Sequence, residues 1–120
     1  MRTHLLLVGA AAIAICAMAM ATTVTSQEDQ WIPLPAVDAP LVQELGGWVV
    51  AEHDRRANDK VRFIRVVSGQ EMEDTKLSGV RYHFVIDAFD GSGRPAKYDA
   101  VLADIVWQNR RVFISFNPAR

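Results

Sequence analysis

The sequence predicts an α+β domain in which an antiparallel sheet packs across one helix. Three observations carry this. Apolar residues recur at helical spacing in one segment only, at Leu41, Leu45, Trp48 and Val49, with Val42 on the flank. The later apolar runs have the alternating or continuous pattern of strands. Polar turn signals, Asp90-Gly91-Ser92-Gly93 and Gln108-Asn109-Arg110, join those runs as hairpins. A helix followed by consecutive hairpin strands buries its stripe against the sheet the strands form.

Ahead of the domain, Arg2 and His4 precede a run of 17 apolar or small residues, Leu5 to Ala21. Ala17-x-Ala19 and Ala19-x-Ala21 suit a signal peptidase, so residues 1–21 read as a secretory signal peptide, with cleavage between 19 and 26 possible. A membrane anchor is the poorer reading, since a span usually takes about 20 apolar residues. The domain then covers residues 22–120, and a secreted protein is expected. Cleavage removes Cys16, the only cysteine, so the domain is held by a hydrophobic core and not by disulfides. Loss of Arg2 leaves 12 basic against 14 acidic residues, a balance that points to neither nucleic acid nor an anionic membrane surface.

Trp31-Ile32-Pro33-Leu34-Pro35 is an apolar segment that its prolines hold extended. Asp38 is a suitable N-cap for the helix, with Pro40 in the first turn. Gly46-Gly47 falls mid-helix, at a cost of about 1 kcal/mol per glycine relative to alanine, which predicts close packing on the sheet. The helix fades near Ala57-Asn58-Asp59. Strands are expected over residues 61–67, 80–88, 97–107 and 111–116. Ser68 to Gly79 would be a long polar loop of twelve residues, where hairpins commonly turn in about two to five.

Signals for catalysis are poor. The domain has two histidines, His53 and His83, at no metal-ligand spacing. Gly91-Ser92-Gly93 is a turn, with no helix after it to make a nucleophile elbow. His83 and Asp87 share a strand face and would define an enzyme only by meeting in a pocket, with no nucleophile or metal to complete them. Alternate turns of a meander lie at one end, so the Ser68–Gly79 loop and the Val106-Trp107-Gln108 turn share an edge opposite the Asp90 turn. A tryptophan at such a turn either folds back over the core or serves as a binding anchor.

The chain resembles the plant cystatins over most of the predicted domain, about Gln30 to Pro118. Leu45-Gly46-Gly47-Trp48-Val49-Val50-Ala51-Glu52-His53-Asp54 is similar to the family's helix signature Leu-Ala-Arg-Phe-Ala-Val-x-Glu-His/Tyr-Asn. Trp31-x-Pro33, Gly79-x-x-Tyr82, Ala88-x-Asp90-Gly91, Trp107 and Ser115-Phe116-x-Pro118 fall in family order. The resemblance implies a cystatin-like antiparallel sheet of four to five strands wrapped around one helix. It implies an inhibitor and not an enzyme, without cofactor or metal, a monomer whose partners are papain-like cysteine proteases. An N-terminal trunk and two hairpin loops would plug the protease cleft: Gln30 and Trp31 as trunk; Thr75, Lys76, Leu77, Ser78 and Gly79 as first loop; Val106 and Trp107 as second. Leu77 and Trp107 would be the apolar plugs and Gly79 the residue that permits the turn.

All three regions depart from the family pattern. Thr75-Lys76-Leu77-Ser78-Gly79 stands where the family has Gln-x-Val-x-Gly, Val106-Trp107 stands for Pro-Trp, and Asp29-Gln30 replaces glycines. Gln70-x-Met72-x-Asp74 is a second, poorer match to the first loop. Two readings stay open on these residues: an inhibitor, or a binding module of the same fold with weak or lost inhibition.

Overall fold

Pro40 sets where the helix begins. A residue before proline is driven out of the helical region, and Ala39 accordingly sits at φ −56°, ψ 138° as the N-cap, with no side-chain cap. Asp38, the expected cap, is thereby pushed one residue outside. The computed structural model describes residues 30–120; the expected signal peptide and Asp29 lie outside them. The elements are β1 (Ile32–Pro33), α1 (Pro40–Ala57), β2 (Arg62–Asp74), β3 (Gly79–Phe89), β4 (Pro95–Ile105), a 3₁₀ turn (Val106–Gln108) and β5 (Arg110–Pro118). The five strands form one antiparallel sheet in chain order, a meander. Asn58 ends α1 in the left-handed conformation (φ 56°), its N–H donating to the Asp54 carbonyl.

The buried stripe of α1 is Val42, Leu45, Gly46, Val49 and Val50. It is turned from the expected one: Val42 is core, while Leu41 is exposed. Gly46 explains the rotation, because a β-carbon there would run into the Val66 side chain and lie 3.0 Å from the Phe63 ring. The glycine brings helix backbone onto β2, as its mid-helix position predicts. On the far side α1 reaches β5, where Arg56 lies over the Phe113 ring and His53 stacks on Phe116 at 4.2 Å. Contact with both β2 and β5 is what wraps the sheet around the helix. Between them Leu45, Phe84, Ile86 and Leu102 are fully buried, each stabilising the fold by about 1.5–3 kcal/mol.

Gln43 fixes the helix at one further point. Its side-chain amide donates to the carbonyls of Val66 and Val37 and accepts the Val66 N–H. Val66 stands at one of two register shifts that kink β2 against β3.

The largest departure from expectation lies beyond this point. Ser68 to Asp74 continues β2 and pairs with β3 as far as Asp74 opposite Gly79. The twelve-residue loop is therefore a hairpin extension whose turn is Thr75–Ser78. No apolar alternation marks Ser68–Asp74, because only Asp74 is buried there and strand order comes from the partner β3. β4 and β5 are also shifted, to Pro95–Ile105 and Arg110–Pro118, so Trp107 belongs to a turn and not to a strand.

Candidate functional site

The registers Asp74 to Gly79, Val80 to Asp104 and Ile105 to Arg110 set the two hairpin turns side by side at one end of the sheet. The Asp90 turn, between β3 and β4, is at the other end.

The first turn is built on Asp74. Its Oδ1 accepts the N–H groups of Lys76 (3.1 Å) and Leu77 (3.2 Å), an Asx-type cap that closes the bend. Its Oδ2 is held by Arg81 Nη2 (2.6 Å) and Nε (3.1 Å) from the start of β3. Burial alone would raise the Asp74 carboxyl, but the Arg81 guanidinium and the Leu77 and Lys76 amides outweigh it and hold the group below the ordinary carboxylate range. Around this buried acid, Thr75, Lys76 and Ser78 are exposed and Leu77 is half-buried. Ser78 takes the left-handed conformation of the turn (φ 53°). Gly79 is needed for another reason: a β-carbon there would stand 2.6 Å from the Asp104 carbonyl oxygen, so only glycine lets β3 start this close to β4. The role expected of Gly79 as the bend's special residue thus passes to Ser78, and Gly79 serves strand approach.

The second turn presents its apolar residues outward. Val106 is 72% exposed and Trp107 69%, so Trp107 does not fold back over the core. Asn109 closes the turn at φ 50°, its N–H bonded to the Val106 carbonyl. The Trp107 indole N–H donates to the Ser78 carbonyl at 3.1 Å. That bond joins the tips of the two turns. The groove between them is lined by Asp74, Thr75, Ser78, Gly79, Val106 and Trp107, among others. Beneath them burial pushes the Tyr82 phenol up, helped by the carboxylates of Glu71 and Asp104.

The trunk residues stand apart from this groove. Ile32 pairs with Glu71, which places Trp31 on the flank of the β2–β3 hairpin, short of its turn. The Trp31 ring meets His83 edge-on at 6.1 Å between centroids. Gln30, the first described residue, is exposed. Lys76 and Leu77 belong to the first turn but do not line the groove.

The pairing of His83 with Asp87 is not realised. His83 Nε2 bonds Asp99 across the strand pair at 2.9 Å, and Asp87 is taken by Lys97. Among the described residues no group of three ligating side chains is placed to hold a metal, and no helix is long and apolar enough to cross a membrane. The sequence reading missed Asp74 and Arg81 as site residues. An aspartate just ahead of a turn, with an arginine just after it, is the signal that could have found them.

Comparison with known proteins bears on this edge. Residues 34–119 match a family model described as aspartic acid proteinase inhibitor. Cysteine proteinase inhibitor 8 of Oryza sativa subsp. japonica is 42% identical over 89 residues, covering 74% of this chain and 70% of that protein. Cysteine proteinase inhibitor 5 of Arabidopsis thaliana is 36% identical over 89 residues, with the same shares of the two chains. Among solved structures, the crystal structure of a salivary cystatin from the soft tick Ornithodoros moubata superposes with a TM-score of 0.63 at 12% identity, over 77% of this chain and 98% of that one, which shows a shared fold.

Proposed function

We propose, from the premise that this chain belongs to the plant cystatin family, that it is a reversible inhibitor of papain-like cysteine proteases. The family is one of protease inhibitors and not of enzymes. The observation that carries the reading is the exposed Val106-Trp107 tip bonded to the Ser78 carbonyl of the neighbouring turn. A protease cleft is a concave surface, and a projecting apolar tip fills it and displaces water. Tryptophan is among the residues that most often anchor an interface, and removing a well-seated one costs about 2–4 kcal/mol. Because the turns are already tied together and capped, little conformational freedom is lost on docking. Both turns enter as closed bends of a continuous sheet, so the protease is covered without an extended segment laid across its nucleophile. Trp31 and Gln30 add the trunk contact along the hairpin flank. The inhibitor acts as a secreted monomer after residues 1–21 are removed, a reading supported by the leader-like pattern of the sequence.

Titration of papain with the protein lacking residues 1–21 tests this. Reversible, saturable loss of activity is expected. Full activity of papain and its relatives under saturating protein would end the reading; if pepsin is also untouched, a non-inhibitory binding module remains, which the departures at Thr75, Val106 and Asp29-Gln30 favour. A second reading is supported by the description of the matching family model: the target is an aspartic protease. The same titration against pepsin separates the two, since inhibition of pepsin with papain untouched selects the second.

A further inference from the structure

We propose that Asp74, locked by Arg81, is the positioning residue of the first turn, holding Thr75–Ser78 in the shape that docks. The proposal rests on the inhibitory reading of that edge. Both carboxylate oxygens are committed: Oδ1 to the Lys76 and Leu77 amides, Oδ2 to two nitrogens of Arg81. A carboxylate so held has one orientation, and it transmits that orientation to the two amides in the middle of the bend. The Asp74 side chain is 6% exposed at a tip where Thr75, Lys76 and Ser78 are open to solvent. Arg81 lies on β3, whose pairing with β2 and β4 makes it a fixed support. Ser78 occupies a left-handed conformation that side chains with a β-carbon resist, so the bend needs an outside constraint. Its carbonyl is also the acceptor for Trp107. Order imposed at Asp74 therefore reaches the second turn through Ser78. Without it the tip samples several bends, and apparent affinity falls by the fraction still competent to dock.

The experiment compares Asp74→Ala, Asp74→Asn and Arg81→Met with the wild type, in the full secreted form. Two quantities are read: the papain inhibition constant, and amide hydrogen exchange resolved by residue. Asp74→Ala is expected to weaken inhibition about tenfold, mainly through slower association, as the competent fraction drops. Exchange at Lys76 and Leu77 should accelerate while amides of β3 and β4 keep their protection. Asp74→Asn keeps an oxygen for the two amides and should retain most of the inhibition. Arg81→Met should fall between, and its effect should vanish in the Asp74→Ala background. An inhibition constant unchanged in Asp74→Ala despite faster exchange overturns the proposal, as does exchange at Lys76 and Leu77 that does not change. A wild type inert toward papain refutes the inhibitory reading instead, and the exchange rates still decide whether Asp74 holds the turn.

Discussion

The two ends of the sheet use one device for different purposes. At each end an aspartate side chain caps backbone N–H groups of a turn: Asp74 takes Lys76 and Leu77, and Asp90 takes Ser92 and Arg94 together with the Ser92 hydroxyl. At the Asp90 end Gly91, Ser92, Gly93 and Arg94 are all exposed, and no large apolar side chain accompanies them. At the Asp74 end the capped turn lies against a second turn that exposes Val106 and Trp107. Both are well-formed bends, so local order alone does not distinguish a binding edge from a connection. The distinguishing feature is exposed apolar surface fixed to an ordered support.

The predictions test that contrast. The largest effect belongs to Trp107→Ala, which should weaken papain inhibition at least tenfold, in line with about 2–4 kcal/mol for a seated tryptophan, and leave the melting temperature nearly unchanged. Equal inhibition by variant and wild type would remove Trp107 from the contact. Next, Gly79→Ala forces a β-carbon against the Asp104 carbonyl oxygen and should cost about 1–3 kcal/mol of stability as overpacking, measured by chemical denaturation. Its counterpart at the other end, Gly93→Ala, has open space but a φ of 83°. It should cost only about 1 kcal/mol, through backbone conformation, with inhibition intact. A loss of inhibition there would erase the distinction between the ends. Thr75→Gln restores the amide of the family motif and should tighten inhibition a few-fold, the effect of about one neutral hydrogen bond, near 0.5–1 kcal/mol. An unchanged constant means that Thr75 does not occupy the motif position.

The smallest effect is on pH dependence. Against the upward push of burial, Arg81 and the Leu77 and Lys76 amides leave Asp74 below the ordinary carboxylate range, and the Ser92 hydroxyl with the Arg94 amide lowers Asp90 likewise. A lowered carboxyl adds stability that is complete above the unfolded value, about 3.9, and is lost as pH falls through the folded one. Both turns should therefore keep their geometry at pH 4.5, with loss confined to more acid solution. Amide shifts of Leu77 and Ser92 followed by NMR would show it, and a transition at pH 5 or above would contradict it.

The sequence was legible where pattern and burial coincide. The alternation of Tyr82, Phe84, Ile86 and Ala88 marks β3 because its core face is buried by α1. Gly46-Gly47 announced close packing because few other reasons excuse two glycines mid-helix. The Ser68–Asp74 extension was illegible because it is ordered by backbone pairing with β3 and has few buried side chains to leave a pattern. Leu41 and Val42 exchanged roles because the rotation of the helix about its own axis, set by Gly46 against Val66, cannot be read from spacing. At the site, Trp107 and the shared edge followed from meander geometry. Asp74 and Arg81 did not, because their partnership crosses a hairpin whose strand extension, Ser68–Asp74, carries no sequence pattern. Trp31 lies just ahead of β1 and packs on His83, outside the groove between the turns.

Gln43 has a consequence beyond anchoring the helix. Val66 pairs with Ile86 of β3, and its N–H and C=O both bond to Gln43. β1 is only two residues long and covers β2 at Glu71 and Gln70, so β2 would otherwise offer open backbone at Val66. Open backbone at a sheet edge is a template on which a strand of another chain can add. One amide side chain satisfies the backbone of Val66 where this edge is kinked, which removes that residue's N–H and C=O from the open template. At the opposite edge β5 opens with Arg110, which is exposed, and a charged side chain on an edge strand disfavours pairing with another chain.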